Sequence, residues 1–139
     1  MTEDENVPTS AGLSSFNLLD ERKFFTALGL NKGMTLLDFG CGAGNYAVAA
    51  APHIGDSGLI YAVDLWEEGV ETLEVRAAMA RLENIEAWVR GADQHLPIGD
   101  HTVDLCLMAT VIHILVQEEV IQSALREIQR VLRPGGIVA

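Results

Sequence analysis

Leu36-Leu37-Asp38-Phe39-Gly40-Cys41-Gly42-Ala43-Gly44 is the stretch on which the fold of this 139-residue chain turns. Residues 34–39 form a short apolar run that reads as a strand ending at Asp38 and the glycines. Residues 46–51 are rich in alanine and read as a helix ended by Pro52, so the local unit is strand, glycine turn, helix. Gly40, Gly42 and Gly44 let the backbone approach a ligand closely, because no Cβ intervenes and positive φ is open to them. A dinucleotide-binding turn has the spacing G-x-G-x-x-G; here position 45 is Asn45 and the third glycine arrives one residue early, as G-x-G-x-G. Taken alone, the pattern reads equally well as a tight structural turn.

Outward from this unit the chain keeps alternating. Asp20 is placed to cap a helix running to Leu28, with Phe24, Phe25 and Leu28 along one face and Gly29 as its stop. Residues 59–63 read as a second strand ending at Asp64, and residues 67–82 as a long acidic helix on which Val70, Leu73 and Ala77 share a side with Ala80 or Arg81. Residues 85–89 give a third strand and residues 103–109 a fourth. Residues 118–132 read as a further long helix carrying Ile121, Leu125, Ile128 and Leu132 at helical spacing; after Pro134, Gly135 and Gly136, residues 137–139 begin a fifth strand. Strands apolar on both faces, alternating with helices, predict a Rossmann-like α/β fold: a doubly wound parallel sheet, truncated after the start of its fifth strand. Residues 1–15 lack apolar periodicity and are read as a flexible N-terminal arm, leaving residues 16–139 as one domain.

Composition narrows the partners. Twenty Asp and Glu against nine Lys and Arg give a formal charge of −11, a field that repels phosphate backbones and anionic lipid surfaces, so neither nucleic acid nor membrane is expected as a partner. Cys41 and Cys106 form no CxxC pair and no Cys/His cluster, which points away from a disulfide framework or a zinc site and toward a reducing, cytoplasmic setting. No apolar stretch approaches the roughly 20 residues that span a bilayer.

Acidic residues around the turn make it more specific. Asp64 falls at the carboxyl end of the second strand, twenty residues after Gly44, where a carboxylate accepts hydrogen bonds from both hydroxyls of a ribose; the alternative reading is a cap for the helix that follows. Asp38, immediately before the glycines, suits an ammonium group and would repel a pyrophosphate. A ligand that is both an amino acid and a nucleoside meets both conditions.

On these residues the chain resembles the class I S-adenosylmethionine-dependent methyltransferase family. The resemblance runs from about Phe16 to Ala139. Residues 36–44 look like the family's first motif, Ala62, Val63, Asp64 and Leu65 like its ribose-binding second motif, and Gly91, Ala92, Asp93 and Gln94, with Leu96 and Pro97, like the segment that meets adenine. Residues 126–136, with Arg133, Pro134, Gly135 and Gly136, are similar to the turn into the fifth strand in the subgroup that includes ubiquinone and menaquinone methyltransferases. The resemblance implies S-adenosyl-L-methionine as cofactor. It places Asp38, Gly40, Cys41, Gly42 and Gly44 beside the methionine half, Asp64 at the ribose and Leu65 at the adenine ring. Ala92, Asp93 and Gln94 then meet the adenine, with Asp93 at its amino group and a turn-capping role as that residue's alternative. Met108, Ala109 and Thr110 lie beside the methionine portion.

The expected activity is methyl transfer to an unidentified small-molecule acceptor, with a catalytically silent cofactor-binding or dimerisation module as the alternative. His113, four residues past the fourth strand, is the candidate general base by position, against a packing role among Val111, Ile112, Ile114 and Leu115. His53, His95 and His101 form no metal spacing, and no metal is expected. The family's sheet continues past its fifth strand. The edge left open here is expected either to belong to a truncated chain or to be covered in a homodimer.

Overall fold

The computed structural model describes residues 15–109 and 111–139 and every side chain among them except that of His113. The expectations for residues 1–14, for Thr110 and for the His113 side chain therefore lie outside the described residues.

After a 3-10 turn at Phe16–Leu18, the elements run α1 (Glu21–Ala27), β1 (Thr35–Phe39), α2 (Asn45–Ile54), β2 (Leu59–Asp64), α3 (Glu67–Met79), β3 (Ile85–Val89), β4 (Val103–Leu107), α4 (Ile112–Gln117), α5 (Ile121–Val131) and β5 (Leu132–Val138). The strands make one sheet in the order β3-β2-β1-β4-β5, and every neighbouring pair is parallel. Winding proceeds one way from β1 to β3 and the other way from β4 to β5. The switch lies between β1 and β4, where folds of this kind bind ligands beyond the carboxyl ends of the strands.

Strand residues alternate between two cores. Leu36, Ile60, Ala62 and Leu105 pack with Phe25 of α1, with Ala47, Ala50, Ala51 and Ile54 of α2, and with Val70 and Leu73 of α3. Leu37, Phe39, Val63 and Cys106 pack on the other face with Leu115 of α4 and with Ala124, Ile128 and Val131 of α5, joined by Leu96 and Ile98 from the β3–β4 connection. The doubly wound parallel sheet expected from the strands' two apolar faces is thus the observed architecture. No helix of the described residues is long and apolar enough to cross a membrane.

Several boundaries differ from the sequence reading, each for a local reason. Asp20 caps α1 as expected, its side chain accepting from the Lys23 amide. Pro52 does not end α2: it sits in the last turn, where it removes one amide, and the helix continues to Gly55, whose φ of 68° stops it while its amide still reaches the Ala51 carbonyl. The acidic helix ends at Met79 rather than 82, because Arg81 turns left-handed at φ 55° and the Leu82 amide folds back onto the Ala77 carbonyl. The expected helix over 118–132 starts late, again because of a left-handed residue. Glu119, at φ 58°, closes α4 with the Val120 amide on the Leu115 carbonyl, and α5 starts afresh at Ile121. On α5 it is Ala124, not Leu125, that joins Ile128 in the core; Leu125 is 46% exposed. β4 stops at Leu107. β5 begins at Leu132, which pairs with Val103; residues 133–136 then bulge out before Ile137 and Val138 pair with Leu105 and Cys106.

Candidate cofactor site

All three glycines of the turn adopt positive φ: 84° at Gly40, 54° at Gly42 and 90° at Gly44. At Gly40 and Gly44 there is also no room for a side chain, since a Cβ would run into Val111 and Leu73 respectively, whereas nothing lies within 4 Å of a Cβ at Gly42. The turn begins where the Gly40 and Cys41 amides both donate to the Val63 carbonyl, at 2.8 and 3.0 Å, tying it to the end of β2. It closes with the Gly44 amide on the Cys41 carbonyl at 2.9 Å. Gly44 caps α2 without any side-chain hydrogen bond. Arg76 of α3 holds the far end, donating to the Ala43 carbonyl at 2.8 Å and to Asn45 Oδ1 at 2.9 Å. Sequence reasoning missed this arginine, because its partners lie 31 and 33 residues away.

Two carboxyl groups flank the turn in different states. Asp38 is 1% exposed, and its Oδ2 has no hydrogen-bond partner among the described residues. Burial pushes its carboxyl up to about 7 and the charge of Asp64 adds to the effect, while a hydrogen bond from the Ala47 amide works the other way. Asp64 is half-buried and already engaged: Oδ2 accepts from the Gly42 amide and Oδ1 from the Trp66 amide, each at 2.8 Å. The two readings of Asp64 are therefore not exclusive. It orders the entry to α3 and the glycine turn, and each oxygen keeps a second lone pair.

A groove open to solvent lies at the carboxyl ends of the strands, and Gly40, Asp64, Leu65 and Ala92 all line it. Those four were named from sequence. Arg90 and Glu118 also line it and were not, and Val111, Ile114 and Leu115, named only as packing around His113, line it too. Four of these five stand on or beside α4, a short helix that sequence reasoning did not identify. Other named residues sit around the groove without forming its wall. Cys41 and Met108 are buried in the two cores, and Asp93 and Gln94 are exposed on the loop after β3. The Gln94 side chain accepts from the Gly91 amide at 2.7 Å, folding the loop onto itself. Ala109 packs against the α2 side of the sheet. His113 falls within α4. Among the described residues no group of three His, Cys, Asp or Glu is placed to hold a metal ion.

A doubly wound parallel sheet with a glycine turn after β1 and carboxylates toward the ends of β1 and β2 defines a nucleoside-cofactor domain. Residues 37–139 match the family described as methyltransferase domain. The arsenite methyltransferase of Halobacterium salinarum is 34% identical over 107 residues, which cover 77% of this chain and 26% of that protein. The demethylmenaquinone methyltransferase of Staphylococcus aureus strain MRSA252 is 32% identical over 111 residues, covering 80% and 44%. Among solved structures, a SAM-dependent methyltransferase from Aquifex aeolicus superposes with a TM-score of 0.77 at 32% identity, covering 93% of this chain and 64% of that one. The chain belongs to the S-adenosylmethionine-dependent methyltransferase domain family. It spans less than half the length of these two curated relatives.

Proposed function

We propose that the groove at the ends of β1, β2 and β3 holds S-adenosylmethionine, and that the chain is the cofactor-binding part of a methyltransferase acting on a small apolar acceptor. Asp38 carries this reading: a buried carboxyl with one unpartnered oxygen, directly before a glycine turn, favours a cationic group beside it over a pyrophosphate. Gly40, Cys41, Gly42 and Gly44 then shape the backbone beside the amino-acid half. Asp64 accepts the ribose hydroxyls on the lone pairs that Gly42 and Trp66 leave free. Leu65 and Ala92 flank the adenine, Asp93 and Gln94 lie at its edge, and Met108 and Ala109 close the end of β4. When bound, the cofactor supplies a methyl group on a positively charged sulfur; the chain's own residues position the ligand and keep water away. His113, on the helix that borders the groove, is the candidate base.

The acceptor's character is read from α4. Ile112 and Val116 of α4 are 54% and 55% exposed, an apolar surface next to the groove. This surface favours an apolar, quinone-like acceptor. Calorimetry with S-adenosylmethionine and S-adenosylhomocysteine tests the cofactor, and absence of binding at millimolar ligand refutes it. Release of S-adenosylhomocysteine with a panel of acceptors then separates an enzyme from a silent binding module.

A further inference from the structure

The connection from β3 to β4 has no helix or strand of its own, yet it carries Ala92 into the groove and Leu96 and Ile98 into the core. Its shape is imposed by one arginine and one glutamate of α5. Arg130 donates to the Ile98 and Leu96 carbonyls at 2.7 and 3.1 Å, to Asp100 Oδ1 at 2.8 Å, and to both carboxylate oxygens of Glu127 at 2.8 Å each. These five contacts use the full set of guanidinium donors. Glu127 in turn accepts from the Leu96 amide at 2.7 Å and meets His95 Nδ1 at 3.3 Å. The backbone finishes the attachment, with the His101 and Thr102 amides on the Arg130 and Val131 carbonyls. The near end of the loop is fixed separately, by the Arg90 amide on the Asp64 carbonyl. Residues 91–94 are therefore strung between β2 and α5, and the ion pair sets where they stop.

We propose that Arg130 and Glu127 are positioning residues for purine recognition, acting through the loop they clamp and touching no ligand themselves. The inference rests on reading residues 92–94 as the adenine-facing segment. A fork of five donors cannot be replaced by an ammonium, so Arg130→Lys frees the loop while keeping the charge. Glu127→Gln is the milder change, retaining one acceptor.

The test compares S-adenosylhomocysteine with S-inosylhomocysteine, which differ only where the purine carries an amino or an oxo group. Affinities are measured by calorimetry for the unaltered chain and both variants, alongside hydrogen exchange. The unaltered chain is expected to prefer the adenine compound. Arg130→Lys is expected to shrink that preference by about tenfold and Glu127→Gln by a few fold, with faster exchange confined to residues 91–100. A purely structural role would weaken both compounds equally, and an unchanged ratio in a folded variant overturns the proposal. If the unaltered chain binds neither compound, the cofactor reading itself has failed. If it binds both without preference, the cofactor reading stands and the positioning role falls.

Discussion

The glycine turn after β1 and the connection after β3 border the same groove, yet they are held in shape by opposite means. In the turn the constraint is local: three positive φ angles within five residues, two of them at positions with no space for a Cβ. In the connection the constraint is remote: an ion pair on α5, about thirty residues further along the chain, fixes a segment that has no regular structure. The first kind of order is written in residue types and the second in contacts. They should fail differently.

The largest effect is expected at Gly44. Gly44→Ala places a methyl group against Leu73 in a left-handed backbone, and should lower the unfolding free energy in urea by about 4 kcal/mol. Acid and base then separate the two regions. Asp38 is near 7 in the folded chain against 3.8 in a free carboxyl, so the native state holds the extra proton and stability from this group falls as pH rises from about 4 to 7. Asp38→Asn should remove that slope and stabilise the ligand-free protein at pH 8 by about 3 kcal/mol, while weakening S-adenosylmethionine binding. Glu127 works in the other sense. The hydrogen bonds from Arg130 hold its carboxyl down at about 2, so its contribution is complete above about 4.5 and is lost as pH falls toward 2. Urea midpoints measured from pH 2 to 8 for Asp38→Asn and Glu127→Gln should show the two slopes vanish one at a time.

Asp64→Ala should weaken cofactor binding by about 2 kcal/mol, as read by calorimetry, because it removes ribose acceptors and releases the Gly42 amide. An unchanged affinity would exclude the ribose role. Smallest is Gly42→Ala, about 1 kcal/mol in urea, since only its φ of 54° opposes a side chain and no neighbour does. If Gly42 and Gly44 prove equally sensitive, steric exclusion by Leu73 is not what fixes the turn.

The same division explains what was legible in the sequence. The sheet could be read because strand periodicity and the glycine spacing are short-range signals, and β3 at Ile85–Val89 has the bounds its apolar run predicts. Helix ends at Arg81 and Glu119 could not, because a left-handed residue other than glycine carries no compositional mark. Leu125 misled because the buried stripe of α5 is Ala124, Ile128 and Val131, which has the same helical spacing as the stripe through Leu125 and shares Ile128 with it. In the candidate site, Gly40, Asp64, Leu65 and Ala92 follow from motif order, while Val111 and Leu115 depend on how α4 folds back over the strand ends. Arg76, Glu127 and Arg130 read as polar helix faces. Only the folded chain brings them to Ala43, Leu96 and Ile98.

The alanine face of α2 has one further consequence. Ala47, Ala50 and Ala51 are at most 1% exposed, so this helix rides on the sheet with a single methyl group at each of these points, and its first residue follows directly on Gly44. The gap between helix and sheet works as a spacer gauge for the turn. Any thickening at these positions would lift the helix like a shim and tilt the glycine turn with it, so sequence drift in this hidden face would be felt at the groove before it was felt in the fold.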